Sequence, residues 1–404
     1  MPPLIFLLLV AQMRIGPYLS WDDSTTTTIR INWRTYSADS SVLAYGVDSL
    51  TDTLKDNSMT TIHSFRLTGL TPGTSYNYQI LCSGYSTPVY TFRTAPEGAD
   101  SIVFVVYGDT RSDSAAHQMV VNAIMESNPQ FVINTGDLVY NGGNLGEWYT
   151  FFNIEKELLH EAPLMPCLGN HDYPPDNYFS LFYLPENEEY YSFEYGNVFF
   201  VALNTEAWDY SVQRTYLDEK LSEAGQDPSK WLIVYFHRPP YSMGGHGSDL
   251  DVRSAFCDVL EQHHVPVVFN GHNHFYQRTE PINGVTYIVS GGGGAPLYQP
   301  GSASWIAYGE GCYHYVRIVA TATELSMKAI RATDGAVIDS LVIYPTGVEE
   351  KIDWDVSKKE LCRGLGIFDI AGRFVGPDLS ALRKTGVYFL RERGKRPRKI
   401  FLIR

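Results

Sequence analysis

Three kinds of signal are scarce in this chain of 404 residues. Its five cysteines are odd in number, and their spacing matches neither a zinc ribbon nor a disulfide framework. No stretch reaches the roughly 18 apolar residues that a transmembrane helix needs, so no membrane-spanning helix is expected. Basic residues number 31 against 45 acidic ones, and the net charge of −14 argues against a nucleic-acid-binding protein, which normally needs a basic face.

The amino-acid composition indicates a folded protein of several domains. Hydrophobic residues make up 44% of the chain and charged residues 19%, which is enough apolar material for sizeable cores. Residues 346–404 differ from the rest because they carry 14 Lys and Arg against 8 Asp and Glu. Such an asymmetry is typical of a separate module. A solvated basic surface and a surface for a polyanion both fit it.

The N-terminus predicts export. The apolar stretch Leu4–Ala11 is too short to span a bilayer but has the length of a signal-peptide core, although Met1-Pro2-Pro3 before it contains no Lys or Arg. We therefore expect a signal peptide over residues 1–11 and a secreted or cell-surface, extracytoplasmic protein.

The order of patterns predicts three domains. Residues 12–95 contain short strands separated by turn residues, which is typical of an antiparallel β-sandwich. Continuous apolar runs alternate with helical patterns over 99–345, which predicts an α/β domain of buried strands and flanking helices. Residues 346–404 predict a small β-module with little room for a core of its own.

Polar residues follow five of the predicted buried strands. In open α/β sheets, ligands bind beyond the carboxyl ends of the strands, so these residues are expected to converge on one site. The residues are Asp109, Asp137 with Tyr140, Asn170 with His171, His237, and the pair His272 and His274.

Carboxylate, amide and imidazole ligands without a thiolate suit Fe, Mn or Zn. They exceed the needs of one metal, so two ions sharing a carboxylate are expected, with a phosphoryl group held between them. Glycines precede Asp109, Asp137, Asn170 and His272. We expect them to permit sharp turns and to leave space for phosphate.

These residues fall into motifs that resemble the calcineurin-like metallophosphoesterases, and among them the purple acid phosphatases. The resemblance covers roughly residues 101–345 and implies a four-layer β-sandwich flanked by helices. The stretch Ile15–Leu19 through Trp33 also resembles the fibronectin-like domain that precedes the catalytic domain in that family. The motifs are Gly-Asp at 108–109, Gly-Asp-x-x-Tyr at 136–140, Gly-Asn-His-Asp at 169–172, His237, and Gly-His-x-His at 271–274.

The resemblance implies a role for each position. A ferric ion would be held by Asp109, Asp137, Tyr140 and His274. A divalent ion, Fe²⁺, Zn²⁺ or Mn²⁺, would be held by Asp137, Asn170, His237 and His272. His171 would assist the leaving group, and His246 matches a histidine that contacts substrate. Gly247 stands where plant relatives often have a second histidine, which puts the leaving-group contacts in question.

Arg111 departs from the family pattern. Many metallophosphoesterases have Asp-x-His where this chain has Asp109-Thr110-Arg111, and a protonated arginine cannot bind a metal ion. Two interpretations stay open. The guanidinium contacts the phosphate of the substrate, or it forms a salt bridge with a nearby acid such as Asp113.

The resemblance implies a secreted phosphatase that hydrolyses small phosphate monoesters by in-line attack of a metal-bound hydroxide. The alternatives are a phosphodiesterase or nucleotide hydrolase on the same site, and a non-enzymatic surface β-domain protein. Segments 366–373, 386–391 and 399–404 resemble a type IX secretion sorting domain, which implies the secretion machinery as a partner.

Overall fold

The computed structural model describes residues 13–82, 85–98, 101–345, 365–369, 374–376, 386–392 and 398–402. The stretch Leu4–Ala11, on which the signal-peptide prediction rests, lies outside the described residues. No helix within these ranges combines the length and the apolar character that a membrane crossing requires. The chain divides into two compact units, Met1–Pro345 and Thr346–Arg404.

The N-terminal β-sandwich is entirely antiparallel, as the sequence predicts. Its strands are β1 (Met13–Ser20), β2 (Ile29–Gly46), β3 (Asp52–Leu67), β4 (Ser75–Cys82), β5 (Tyr85–Ser86) and β6 (Tyr90–Arg93). The long β2, with 18 residues, lies in a region where the sequence predicts short strands. It pairs with β1 in its first part and with β4 in its second, and the register of its pairing with β3 shifts on either side of Asp39.

The next part of the chain forms a first mixed sheet with the order β19-β18-β17-β7-β8-β9. The strands β7, β8 and β9 are parallel, and they are the strands that precede Asp109, Asp137 and Asn170. The six strands are β7 (Ile102–Tyr107), β8 (Phe131–Asn134), β9 (Leu164–Pro166), β17 (His314–Ala320), β18 (Leu325–Arg331) and β19 (Val337–Ile343).

A second mixed sheet has the order β10-β11-β12-β13-β15-β14-β16. Its central strands β11, β12, β13 and β15 are parallel, and β12 and β13 precede the site histidines. The seven strands are β10 (Tyr191–Tyr195), β11 (Val198–Ala202), β12 (Trp231–Tyr235), β13 (Val267–Asn270), β14 (Tyr276–Thr279), β15 (Thr286–Ser290) and β16 (Ile306–Glu310).

The two sheets pack face to face, with helices on their outer faces. The Phe104 ring of β7 meets the Phe200 ring of β11 edge-on, with centroids 5.2 Å apart. Helices α1 and α2 share the core of the first sheet, and α4 and α5 cover the second. The α-helices in the described part of the chain are α1 (Ser114–Met125), α2 (Leu145–Leu159), α3 (Asp176–Leu181), α4 (Ser211–Ala224) and α5 (Leu250–Gln262). This arrangement confirms the predicted four-layer α/β fold.

The N-terminal sandwich and the layered sheets share one hydrophobic core. The Trp21 ring, fully buried, lies 5.8 Å from the Phe131 ring of β8, and the Tyr18 ring lies 4.5 Å from the Phe152 ring of α2. Burial of such large aromatic faces couples the two parts energetically. The sequence indicates only a linker here, at residues 94–98.

The C-terminal unit contains a four-stranded antiparallel sheet with the order β21-β20-β22-β23. Its strands are β20 (Leu365–Asp369), β21 (Phe374–Gly376), β22 (Gly386–Glu392) and β23 (Arg398–Leu402). A small β-module is thus confirmed. The residues between these strands lie outside the described part of the chain, and the sorting-domain resemblance stays a prediction.

Candidate metal centre

Two buried aspartates lie at the carboxyl ends of neighbouring parallel strands. Asp109 follows β7 and Asp137 follows β8, and both are essentially inaccessible to water. Both backbones are left-handed, with φ of 57° and 56°. Such a conformation is costly for a residue with a side chain and occurs where the surrounding structure fixes it, often at functional sites. The sharp turns direct both carboxylates into the region between the strand ends.

Two of the motif glycines make room for the carboxylates. A Cβ on Gly169 would lie 2.4 Å from Asp137 Oδ1, and one on Gly271 would lie 2.6 Å from Asp109 Oδ2. Neither separation is sterically possible, so the two glycines exist to let Asp137 and Asp109 approach. That these glycines also leave space for phosphate stays a prediction.

Three histidines from the second sheet face the aspartates. His237 Nδ1 lies 2.9 Å from the Thr135 carbonyl oxygen, and His274 Nδ1 lies 2.8 Å from the Pro296 carbonyl oxygen. A carbonyl accepts from Nδ1–H, so in both rings Nε2 keeps its lone pair for a ligand. His237 Nε2 lies 3.4 Å from Asp137 Oδ1, and His274 Nε2 lies 3.5 Å from Asp109 Oδ1.

His272 completes the group. Its backbone N–H donates to Asp109 Oδ2 at 2.9 Å, and its ring Nδ1 lies 3.2 Å from His237 Nε2. Burial, followed by the neighbouring His237, holds the pKa of His272 well below its usual range. Burial also lowers the pKa of His274 to about 4. Both imidazoles are therefore neutral near pH 7, which is the form that binds metal ions.

The electrostatics of the aspartates favour a cation between them. Burial and the charge of Asp137 raise the pKa of Asp109 well above its usual range. Burial opposes ionisation of Asp137 too, but His237 and the His171 N–H lower its pKa overall. Two carboxylates this close cannot both ionise easily unless positive charge is supplied. Ligand atoms of Asp109, Asp137 and His274 lie within 4.8 Å of one another, which is a spacing that one metal ion can bridge.

Asn170 fits the same donor set. It begins the short 3₁₀ turn Asn170–Asp172 after β9. Its Oδ1 is buried and has no hydrogen-bond partner among the residues that the structure describes. A buried amide oxygen without a partner is unfavourable, and a metal ion would satisfy it.

Arg111 binds two of the predicted metal ligands. Its Nε donates to Asp137 Oδ2 at 3.1 Å, and its Nη2 lies 3.2 Å from His274 Nε2. Asp113 instead accepts from the backbone N–H groups of Ala115 and Ala116 at the start of α1. Of the two interpretations from the sequence, a salt bridge is observed, but its acid is Asp137 and not Asp113.

Tyr140 and His171 lie together at the rim of the site. The Tyr140 side chain is largely exposed, with 57% of the residue accessible, and its ring centroid lies 5.0 Å from that of His171. His171 donates its backbone N–H to Asp137 Oδ1 at 2.9 Å, and its Nδ1 lies 2.8 Å from the Tyr140 carbonyl oxygen. Ligation by Tyr140 stays a prediction.

Comparison with known families agrees with this geometry. Residues 102–276 match the calcineurin-like phosphoesterase family model, and residues 16–94 match the purple acid phosphatase N-terminal domain. Residues 284–340 match the iron/zinc purple acid phosphatase-like protein C family. These matches indicate a purple acid phosphatase-like phosphoesterase.

Individual relatives agree with that assignment. The chain is 29% identical to purple acid phosphatase 23 of Arabidopsis thaliana over 58% of this chain and 62% of that protein. It is 25% identical to a nucleotide pyrophosphatase/phosphodiesterase of Hordeum vulgare over 63% of this chain and 87% of that protein. It spans between 53% and 58% of the length of several other curated relatives.

The same fold occurs in a purple acid phosphatase from yellow lupin (Lupinus luteus) seeds. The two structures superpose with a TM-score of 0.71 over 83% of this chain and 74% of that one, at 20% sequence identity. At this identity the likeness concerns the fold alone.

The sequence predicts no role for two residues of this phosphoesterase-like site. Asp172 accepts from the backbone N–H groups of Asp137, Leu138 and Gly169 at 2.8–2.9 Å, which ties the loops after β8 and β9 together. The signal for it is its place as the last residue of Gly-Asn-His-Asp at 169–172, in which the family resemblance implies roles for Asn170 and His171.

Asn273 is the second such residue, and it holds the segment that carries His246. Its Oδ1 accepts from the His246 backbone N–H at 2.6 Å, and its Nδ2 donates to Ser242 Oγ and to the Gly247 carbonyl oxygen. The His246 ring is thereby placed 4.4 Å from the His272 ring. Asn273 lies between the two histidines of Gly-His-x-His, so the motif itself contains the signal.

Proposed function

We propose that this protein is a secreted, two-metal phosphatase that hydrolyses phosphate monoesters. The observation that carries the proposal is the convergence of buried ligand atoms at the carboxyl ends of five parallel strands from two sheets. Asp109, Asp137 and His274 approach within 4.8 Å, and Asn170 adds a buried oxygen without a hydrogen-bond partner in the described part of the chain.

The donor set divides into two groups that share Asp137. Asp109, Tyr140 and His274 with Asp137 would hold one ion, ferric in the proposed enzyme. Asn170, His237 and His272 with Asp137 would hold a divalent ion. Neutral imidazoles and hard oxygens together suit iron, zinc or manganese. When bound, two such ions would activate a water molecule and neutralise charge on the phosphoryl group.

Three side chains of the protein would act on the substrate. His171 donates its Nδ1–H to the Tyr140 carbonyl, and in its doubly protonated imidazolium form it would give the Nε2 proton to the leaving alkoxide and become the neutral imidazole. The exposed His246 ring beside His272 is placed to contact an ester oxygen. Arg111 offers the planar donor pair that binds two phosphate oxygens.

Turnover of matched substrates tests the proposal. Metal-loaded protein is expected to hydrolyse p-nitrophenyl phosphate faster than bis(p-nitrophenyl) phosphate. Asp137→Asn is expected to abolish turnover and lower the metal content, because an amide is a weaker, neutral ligand. Asp113→Asn is the matched control, since asparagine caps a helix as well as aspartate does. Full metal content and normal rates in Asp137→Asn would refute the proposal.

The assay also separates the alternatives. Preference for the diester would assign a phosphodiesterase or nucleotide hydrolase to the same site. Metal-replete protein without turnover of any phosphate ester would indicate a non-enzymatic β-domain protein at the cell surface.

Secretion is proposed from the sequence alone. The apolar stretch Leu4–Ala11 and the C-terminal segments that resemble a sorting domain support it. Mass spectrometry of protein from the culture medium tests both. Mature protein that lacks residues 1–11 is expected, and its mass shows whether residues 346–404 are still attached; retention of the full chain in the cytoplasm would contradict export.

A further inference from the structure

The Arg111 guanidinium places a positive charge inside the candidate metal centre. The guanidinium contacts Asp137 Oδ2 at 3.1 Å and His274 Nε2 at 3.2 Å, and only 10% of its side chain is exposed. A guanidinium is always charged and can only donate hydrogen bonds. Its partner nitrogen on His274 must therefore accept, which agrees with Nδ1 donating to the Pro296 carbonyl.

This contact and metal binding exclude each other at His274. The Nε2 atom of an imidazole has one lone pair, and that lone pair either accepts from Arg111 or binds a metal ion. A second cation close to Asp137 would also be repelled by the guanidinium in a buried, poorly screened setting. The same two side chains therefore have two alternative cationic partners.

A destination for the displaced guanidinium lies next to the site. A cavity of about 470 Å³ is lined by Arg111, Tyr140, Thr110 and Glu147 among others. The Arg111 guanidinium carbon already lies 5.7 Å from the centroid of the Tyr140 ring, an aromatic face that favours a cation. The Glu147 carboxylate on the same cavity supplies negative charge.

We propose that Arg111 is an internal cation that holds Asp137 and His274 in place until a metal ion displaces it. Displacement moves the guanidinium toward the cavity beside Tyr140, where it becomes free to bind phosphate. The proposal rests on the proposed two-metal function for its ligand set. Its test measures metal binding and the stability of metal-free protein, so that it can fail while phosphatase activity stands.

The experiment is a calorimetric titration of metal-free protein with Zn²⁺ and a thermal melt of each form. Arg111→Gln keeps a hydrogen-bond donor and removes the charge. We expect it to tighten one of the two Zn²⁺ binding steps by about 5- to 150-fold, the range in which one bound group usually changes the affinity of another. We also expect it to lower the Tm of the metal-free protein, because Asp137 loses its cation, and to leave the Tm of the Zn²⁺-saturated protein nearly unchanged.

Arg238→Gln is the matched control for a general electrostatic effect. Arg238 follows the ligand His237, but its guanidinium pairs with Glu206 at 2.7–2.8 Å. Arg238→Gln removes the same unit of positive charge near the site as Arg111→Gln does. It is expected to change the Zn²⁺ affinity far less than Arg111→Gln. Equal tightening in both variants would overturn the proposal.

Two further outcomes decide the proposal if Arg111→Gln behaves unexpectedly. Unchanged Zn²⁺ affinity together with a raised KM would make Arg111 a substrate contact only and overturn it. If the metal-free variant does not fold, Arg111→Lys decides, because lysine keeps the charge but cannot span both Asp137 and His274. A smaller gain in Zn²⁺ affinity is then expected, and no gain would overturn the proposal.

Discussion

Gly169→Ala should disable the metal centre through steric conflict alone. Gly169 has φ of −110°, which alanine adopts freely, so the substitution introduces no backbone strain of its own. Its new Cβ would lie 2.3 Å from Asp137 N and 2.4 Å from Asp137 Oδ1. Ordinary contact begins near 3.4 Å, so the Asp137 turn must move by about 1 Å, a displacement that can cost roughly 100-fold in rate.

The accompanying loss of stability should be modest. Overpacking of a well-packed site typically costs about 1–3 kcal/mol. The variant is therefore expected to stay folded while its metal content and kcat fall, the latter by about two orders of magnitude. Gly16→Ala is the matched control, since the described residues leave nothing within 4 Å of its new Cβ. Wild-type metal content by elemental analysis and a wild-type kcat in Gly169→Ala would refute the steric argument.

Two other predictions concern a ligand and the pH dependence. Protein loaded with ferric iron should absorb visible light through the Tyr140 phenolate, and Tyr140→Phe should lose that absorption band. Tyr298→Phe is the control, because the Tyr298 ring stacks on His274 at 4.3 Å, and this variant should keep the band. A band that survives in Tyr140→Phe would contradict the ligand assignment. Burial lowers the pKa of His314 from 6.5 to about 4, so below pH 6.5 the unfolded chain binds a proton that the folded protein does not. The folded protein therefore loses about 3 kcal/mol of stability as the pH falls from 6.5 to about 4. In melts from pH 7 to 4, the Tm of the wild type should therefore fall more than that of His314→Gln, and parallel curves would contradict this.

The strands that carry the site could be predicted because their signal is local. The runs Ile102–Tyr107 and Phe131–Asn134 are mostly apolar and precede Gly108-Asp109 and Gly136-Asp137, and the structure has strands with these same bounds. Burial on both faces of a parallel strand requires such a run, whatever the rest of the chain does. The order of the motifs then indicates which strand ends lie together.

The features that the sequence does not predict are those that depend on residues distant along the chain. Helix α4, Ser211–Ala224, contains few apolar residues, and Leu217 and Leu221 are buried only because the second sheet lies beneath them. The roles of Gly169 and Gly271 also depend on three-dimensional neighbours, since a carboxylate from another loop fills the space beside each. No spacing along the chain could indicate that Arg111 forms its salt bridge with Asp137 and not with Asp113.

The backbone of the site indicates how binding and folding are linked. Asp109, Asp137 and His272 all have left-handed backbones, each at a cost of about 1–3 kcal/mol. Hydrogen bonds hold the first two: Asp109 N–H donates to the Gly136 carbonyl, and Asp137 N–H donates to Asp172. These bonds maintain the geometry before any ion binds. Since these ligands come together only in the folded chain, metal ions that bind them should raise the stability of the folded protein as well as supply its chemistry.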